Sequence, residues 1–309
     1  MRRLVEINNR GTASMPDVIS LERFTERDEY GTVYTASLQI VFYADERLSA
    51  ISDGAIACYR SFVQRFRGQL TWYLAESMRN VREFSVRYEA IFPSLCADPD
   101  AQGLPAYRLS SGAGLQDFVP PSFSTGCYDT FSWLQLHLPP DFARDWMELL
   151  PFLAELAGHF RFRCGHVGLS LCWNEVSVDR DAKVPPLIAP LLKRYPGFSL
   201  GTPRELCDQP LPPVNWLTLL GPRLVARTGG VETLRHALAD DQIWVSELGG
   251  GFCIRAGERP ELGDVNRREN LPLYRKVGAF LKDYRGDSEI ELSGLDEEES
   301  EAWLARFDS

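Results

Sequence analysis

The stretch from Val214 to Ala256 constrains the fold more than any other, because apolar runs and chain-breaking residues alternate in it without ambiguity. Val214, Trp216, Leu217, Leu219 and Leu220 form a short apolar run between Pro212-Pro213 and Gly221-Pro222, the pattern of a buried strand. Pro222 stands where a helix can start and Gly229-Gly230 stop it. Val231, Leu234 and Leu238 then repeat at helical spacing up to Asp240-Asp241. The two strand-like runs Ile243 to Leu248 and Gly251 to Ala256 follow, separated by Gly249 and Gly250. Glycine reaches the positive φ that a two-residue turn demands, so the pair predicts a β-hairpin.

Elsewhere, ASLQIVFYA at Ala36 to Ala44 reads as a strand, and Ser49 to Phe66 as a helix with Ile51, Ala55, Tyr59, Phe62 and Phe66 on one face. Leu70 to Leu74 and Phe131 to Leu138 read as strands. Asp141 is placed to cap a helix running to about His159, and Val167 to Trp173 returns as a strand. Val81 to Ile91 supports no single assignment, and Ser94 to Gly126 is dense in Pro, Gly and Ser, as loops are. The segment VSVDRDAKVPP, residues 176–186, reads as a polar connector and the best position for a boundary between two lobes, between which no residue-level repeat is found. Strands grouped with helices, without strict alternation, predict an α+β fold with mixed or antiparallel sheets, in one or two lobes.

At 309 residues, 44% hydrophobic and 25% charged, the chain has the make-up of a globular protein of one or two domains. No uninterrupted apolar run approaches the roughly 18 residues of a membrane span, and the polar start lacks the core of a secretory signal, so a cytoplasmic location is expected. Seven cysteines, odd in number and never in a C-x-x-C pair, argue against a disulfide framework or a zinc ribbon. The net charge of −10 disfavours nucleic acid or an anionic membrane as ligand and suits a basic partner. From Gly286 onward there are nine carboxylates against Arg306 alone, while Leu295, Trp303, Leu304 and Phe307 suggest a short helix docked by one side.

Motifs for chemistry are sparse: there is no G-x-S-x-G, H-E-x-x-H or G-x-x-x-x-G-K, and His137, His159, His166 and His236 are scattered. His159, Cys164 and His166 lie close in sequence without an evident fourth metal ligand, and core or turn roles explain them better. Gly249 to Gly251 sit between strands, not between a strand and a helix, so they do not make a nucleotide loop. No catalytic residue, cofactor site or metal site is predicted.

The block VNWLTLLG…GPRLVARTGGVETLRHALADDQIWVSEL…GGGFCIRAGERPELGDV at Val214 to Val265, with FYAD at Phe42 to Asp45 and FARDW at Phe142 to Trp146, resembles the type VI secretion immunity family, TsiV-like. The resemblance spans about residues 32–284. It divides the chain into an arm (1–30), an immunity domain (31–285) and an acidic tail (286–309). It implies an antitoxin with no activity or cofactor of its own, which binds a cognate secreted effector, a nuclease, and blocks its active site. A stand-alone hydrolase or nuclease, or a chaperone that loads the effector, are the alternatives. A nuclease cleft is lined with Lys and Arg, so carboxylates are the expected contacts: Asp287, Glu289, Glu291, Glu297, Glu298 and Glu299 of the tail, then Glu258 and Asp264 of the loop after the hairpin.

Overall fold

The strand Gly31–Ala44 (β2) is buried along almost its whole length on both faces, so it needs cover above and below and hydrogen-bonded neighbours on both edges. The computed structural model describes residues 21–75, 78, 80–97, 106–200, 202–211, 213–286 and 290–309. In it, Phe131–Leu138 (β7) and Cys164–Cys172 (β8) pair with the two edges of β2, both antiparallel. They therefore run parallel to each other, linked by the helix Trp146–His159 (α3), with β2 inserted between them.

The sheet grows outward from this centre. Beyond β8 come Leu217–Leu220 (β9) and the hairpin of Gly251–Ala256 (β11) and Ile243–Leu248 (β10). Beyond β7 come Ser122–Tyr128 (β6), Tyr107–Ser110 (β5), Trp72–Ala75 (β3) and Arg82–Glu83 (β4), while Glu26–Asp28 (β1) pairs with the start of β2. Every pairing between these strands is antiparallel. With its helices packed on an antiparallel sheet, the fold is α+β.

One face of the sheet is aromatic and packs on α3 and on Ser52–Phe66 (α1). Phe42 meets Phe160 and Phe162 with ring centroids 5.9 and 5.5 Å apart, and Phe123 of β6 meets Tyr59 and Phe62 of α1. The other face carries buried polar groups, several of which pair with one another. The Ser37 hydroxyl lies 2.8 Å from His137 Nδ1, and Gln39 Oε1 accepts from Ser199 Oγ at 2.7 Å and pairs with His166 Nε2 at 3.1 Å. Val178–Arg194 (α4) contacts β2, Pro272–Leu281 (α7) contacts β11, and Glu297–Leu304 (α8) joins α4 through the Lys193–Glu299 pair. The short helices Ile91–Cys96 (α2), Pro222–Arg227 (α5) and Val231–Ala237 (α6) complete the order.

The predicted hairpin forms as expected. Gly249 and Gly250 have φ of 57° and 83°, and a Cβ at Gly249 would lie 2.0 Å from the carbonyl of Ala157, so the turn rests directly on α3. The same region holds a cation–aromatic stack. The Arg255 guanidinium lies 4.0 Å from the Trp244 ring and 4.7 Å from that of Trp146, and Trp146 stands edge-on to the fully buried Trp216. Trp216 Nε1 donates to Gly257 O at 3.2 Å.

Three readings are corrected. Asp145, not Asp141, caps α3: its Oδ1 accepts from Met147 N and Glu148 N at 2.9 and 3.2 Å, while Pro140–Ala143 forms a separate 3-10 turn. The loop-like stretch 94–126 contains β5 and most of β6. Their Ser, Thr and Gly residues look like loop but lie buried in the sheet, where neighbouring strands decide conformation more than propensity does. Residues 178–186 are not a connector but the first half of α4, which continues through Pro185, Pro186 and Pro190. Val184, Ile188 and Leu192 bury one side of that helix at four-residue spacing, which offsets the lost hydrogen bonds. The sheet is continuous across this segment, since β8 before it is hydrogen-bonded to β9 after it.

An arginine clamps the start of α4. Arg180, 1% exposed, forks onto Asp28 with contacts of 2.6 and 3.0 Å and donates to Gln116 O at 3.0 Å. The fork holds the Asp28 carboxyl at about 2, below its ordinary 3.8. Asp28→Ala strands a buried guanidinium and is expected to cost about 3–5 kcal/mol in urea unfolding. Because the folded value is the lower one, wild type is expected to hold this contribution in full above about pH 4 and lose it as pH falls through about 2. The Asp28→Ala variant should lack that part of the acid dependence.

Candidate functional site

The carboxylates singled out in the sequence fall into distinct environments, and the docking of the C-terminal segment decides which of them face solvent. Leu292, Leu295, Trp303 and Phe307 are buried; Tyr274 of α7 meets the Phe307 ring edge-on at 5.4 Å, and a Cβ at Gly278 would lie 2.1 Å from Phe307 O. Arg306 fastens the end: it donates to Pro196 O and Trp303 O at 2.8 Å each and to Phe198 O at 3.4 Å, and stacks 3.6 Å from the Trp303 ring. Arg285 binds Asp308 and Leu304 O. At the other end Ser293 donates to Glu205, whose carboxyl burial pushes up.

α8 starts with a capping box. Asp296 accepts from Glu299 N at 2.9 Å, and the Glu299 side chain reaches back to Asp296 N. Glu299 also pairs with Lys193 of α4, so two structural contacts occupy it. Glu291, Glu297 and Glu298 are exposed, and among the described residues none has an ion-pair partner. They form a fixed acidic edge, with Glu297 and Glu298 in the first helical turn, where the helix dipole also favours negative charge. Asp287 and Glu289 lie outside the described residues.

The loop after the hairpin divides in the same way. Glu258 is exposed, but Asp264 is 2% exposed and takes the Arg194 guanidinium at 2.9 and 3.1 Å while capping Asn266 N at 3.0 Å. Arg194 holds the Asp264 carboxyl below its usual range. Asp264 therefore fastens this loop to the end of α4, and its oxygens are already committed within the chain. Sequence reading did not single out the arginines behind these arrangements, Arg180, Arg194 and Arg306, because their partners lie 152, 70 and 110 residues away in the chain.

The histidines are dispersed. His137 and His166 sit inside the sheet, where burial lowers both imidazoles to about 3 and keeps them neutral. His159 ends α3 and His236 is exposed on α6. Among the described residues no group of three His, Cys, Asp or Glu side chains is placed to hold a metal ion. A cleft of about 450 Å³ is lined by Glu22, Arg27, Asp117, Asp141 and Arg144 together with threonines and prolines, a mixed-charge surface. The described surface carries an acidic edge, Glu297 and Glu298, next to α4.

If Arg306 seats the tail, Arg306→Ala leaves three carbonyls without their cation and is expected to lower stability by about 3 kcal/mol. Amide hydrogen exchange should then quicken selectively in residues 297–304 while the sheet centre stays protected; unchanged protection of α8 would show that its apolar contacts suffice.

The family model described as TsiV, type VI immunity for VRR-NUC, matches residues 55–307. The matched range includes the acidic tail and the block around the hairpin, whereas FYAD at Phe42 to Asp45 lies before it. No curated protein sequence matches the chain significantly. Among solved structures, the fold is similar to the Pseudomonas aeruginosa T6SS protein PA0821, with a TM-score of 0.76 and 19% identity, covering 93% of this chain and 88% of that one; at this identity the likeness is one of fold. With most of its length matched, the chain belongs to the TsiV family, type VI immunity for VRR-NUC.

Proposed function

We propose that this protein binds a cognate VRR-NUC effector of the type VI secretion system and neutralises it by covering the nuclease's active site, with no catalysis of its own. Family membership over residues 55–307 carries the reading. The surface is consistent with it: a net charge of −10 and a fixed acidic edge suit a partner whose cleft must hold phosphates. We place the complex in the cytoplasm, where such a nuclease would meet its substrate; among the described residues no helix is long and apolar enough to cross a membrane.

The direct test is co-expression with the effector encoded beside this chain's gene. Cells holding this protein are expected to survive, and the two proteins to co-purify with DNA cleavage suppressed. Death of cells that contain an excess of folded protein would refute the immunity reading. Release of an active effector after complex formation would favour a loading chaperone.

The acidic edge is proposed to steer association. Glu297→Gln with Glu298→Gln keeps the Glu299 cap and is expected to slow association several-fold at low ionic strength. The slope of association rate against salt should also become shallower, while the dissociation rate changes little. Identical salt slopes for variant and wild type would remove this edge from the encounter.

A further inference from the structure

We propose that the solvent face of α4, together with the β1–β2 turn beside its first turn, is the surface on which the effector docks, and that the occupant is the basic nuclease domain itself. The proposal rests on the immunity reading above and goes beyond it by assigning the contact to particular residues. Among the described residues eight large apolar side chains are exposed, and four of them lie at the start of α4 or along its solvent side: Tyr30 (58%), Val176 (41%), Val178 (84%) and Leu187 (49%). Tyr30 is tied to this end of α4 through Asp28, which accepts from both Tyr30 N and Arg180. Along the helix, Val178, Ala182, Pro186 and Pro190 recur every four residues and are all exposed, with Leu187 beside Pro186. An apolar stripe toward solvent, opposite the buried stripe of Val184, Ile188 and Leu192, is the composition of a contact face.

Three further properties favour a cationic protein as occupant. Pro185, Pro186 and Pro190 have no N–H, so the carbonyls of Asp181, Ala182 and Pro186 receive no bond from the residue four positions on. Ala182 and Pro186 are themselves exposed residues, and a carbonyl acceptor left open on the solvent side of the helix would suit a partner's Lys or Arg. The apolar stripe is bracketed by acids without ion pairs among the described residues: Glu29, Asp179 and Asp181 at one end, Glu297 and Glu298 at the other, the latter next to α4 through the Lys193–Glu299 pair. Three cations of α4 also reach solvent: Lys183 near its start, and Lys193 and Arg194 at its end, the last two already paired with Glu299 and Asp264. The face is also rigid, since Arg180–Asp28 pins its start, Arg194–Asp264 its end, and Gly294 packs on the Pro185 carbonyl between them. An apolar centre with an acidic rim, held in place before binding, matches the anatomy of a tight interface with a basic partner.

The test uses full-length protein and the purified nuclease domain of the effector encoded beside it. Ala182→Arg with Leu187→Arg puts two helix-compatible cations on the face without touching the core, and Met147→Arg, at a 73% exposed site on α3, serves as control. With thermal unfolding unchanged in both, the α4 variant is expected to weaken binding about 100-fold or more and restore DNA cleavage, while the control stays within about 2-fold of wild type. Wild-type-like inhibition by the α4 variant would overturn the assignment while leaving the immunity reading standing. Failure of wild type itself to bind or inhibit would instead remove the reading on which the proposal rests. Should the α4 variant abolish a dimer of this chain in sedimentation and leave effector binding intact, the face belongs to a second copy and the assignment fails.

Discussion

The rest of the structure depends on the register of β2 between β7 and β8. Side chains alternate along a strand, so a slip of one residue exchanges its faces. In β2 the faces are chemically opposed: Leu38, Ile40 and Phe42 meet the helices, whereas Ser37 and Gln39 meet His137, His166 and Ser199. A slip would set Gln39 against aromatic rings and leave two histidines without partners, and each such burial costs several kcal/mol. The polar pairs at the sheet centre thus specify one alignment, and the outer strands inherit their order from it.

From that centre, α3 transmits position to the family block. It crosses from β7 to β8, its C-terminal half supports the hairpin turn at Gly249, and its first residue supplies Trp146 to the stack with Arg255 and Trp244. The residues that carry the family resemblance are therefore largely scaffold. They hold β9, β10 and β11 against α3, and the loop that follows them returns through Asp264 to grip the end of α4.

Arginines do the long-range fastening. Arg180, Arg194 and Arg306 each join segments far apart in the chain, and each guanidinium fork meets a carboxylate or carbonyls with its donors engaged. Their combined effect is to hold α4 and α8 as one rigid surface, apolar along α4 and acidic at its ends. A protein whose task is to bind gains from such rigidity, because less ordering remains to be done at association.

The sequence by itself was enough for the class of fold, the hairpin, α1, β7, the amphipathic C-terminal helix and the family, because each rests on local periodicity, turn chemistry or a contiguous motif. It misassigned β5 and β6, whose Ser, Thr and Gly residues are strand only because neighbouring strands pair with them, and it read a helix with three prolines as a connector. It named the acidic residues without separating them. Glu297 and Glu298 face solvent, whereas Asp264 and Glu299 are committed within the chain, and that division depends on where Arg194 and Lys193 arrive. Local patterns determine which elements can form; which carboxylates and which helix face remain available to a partner is decided by contacts between segments 70 to 152 residues apart, and only the tertiary structure brings those together.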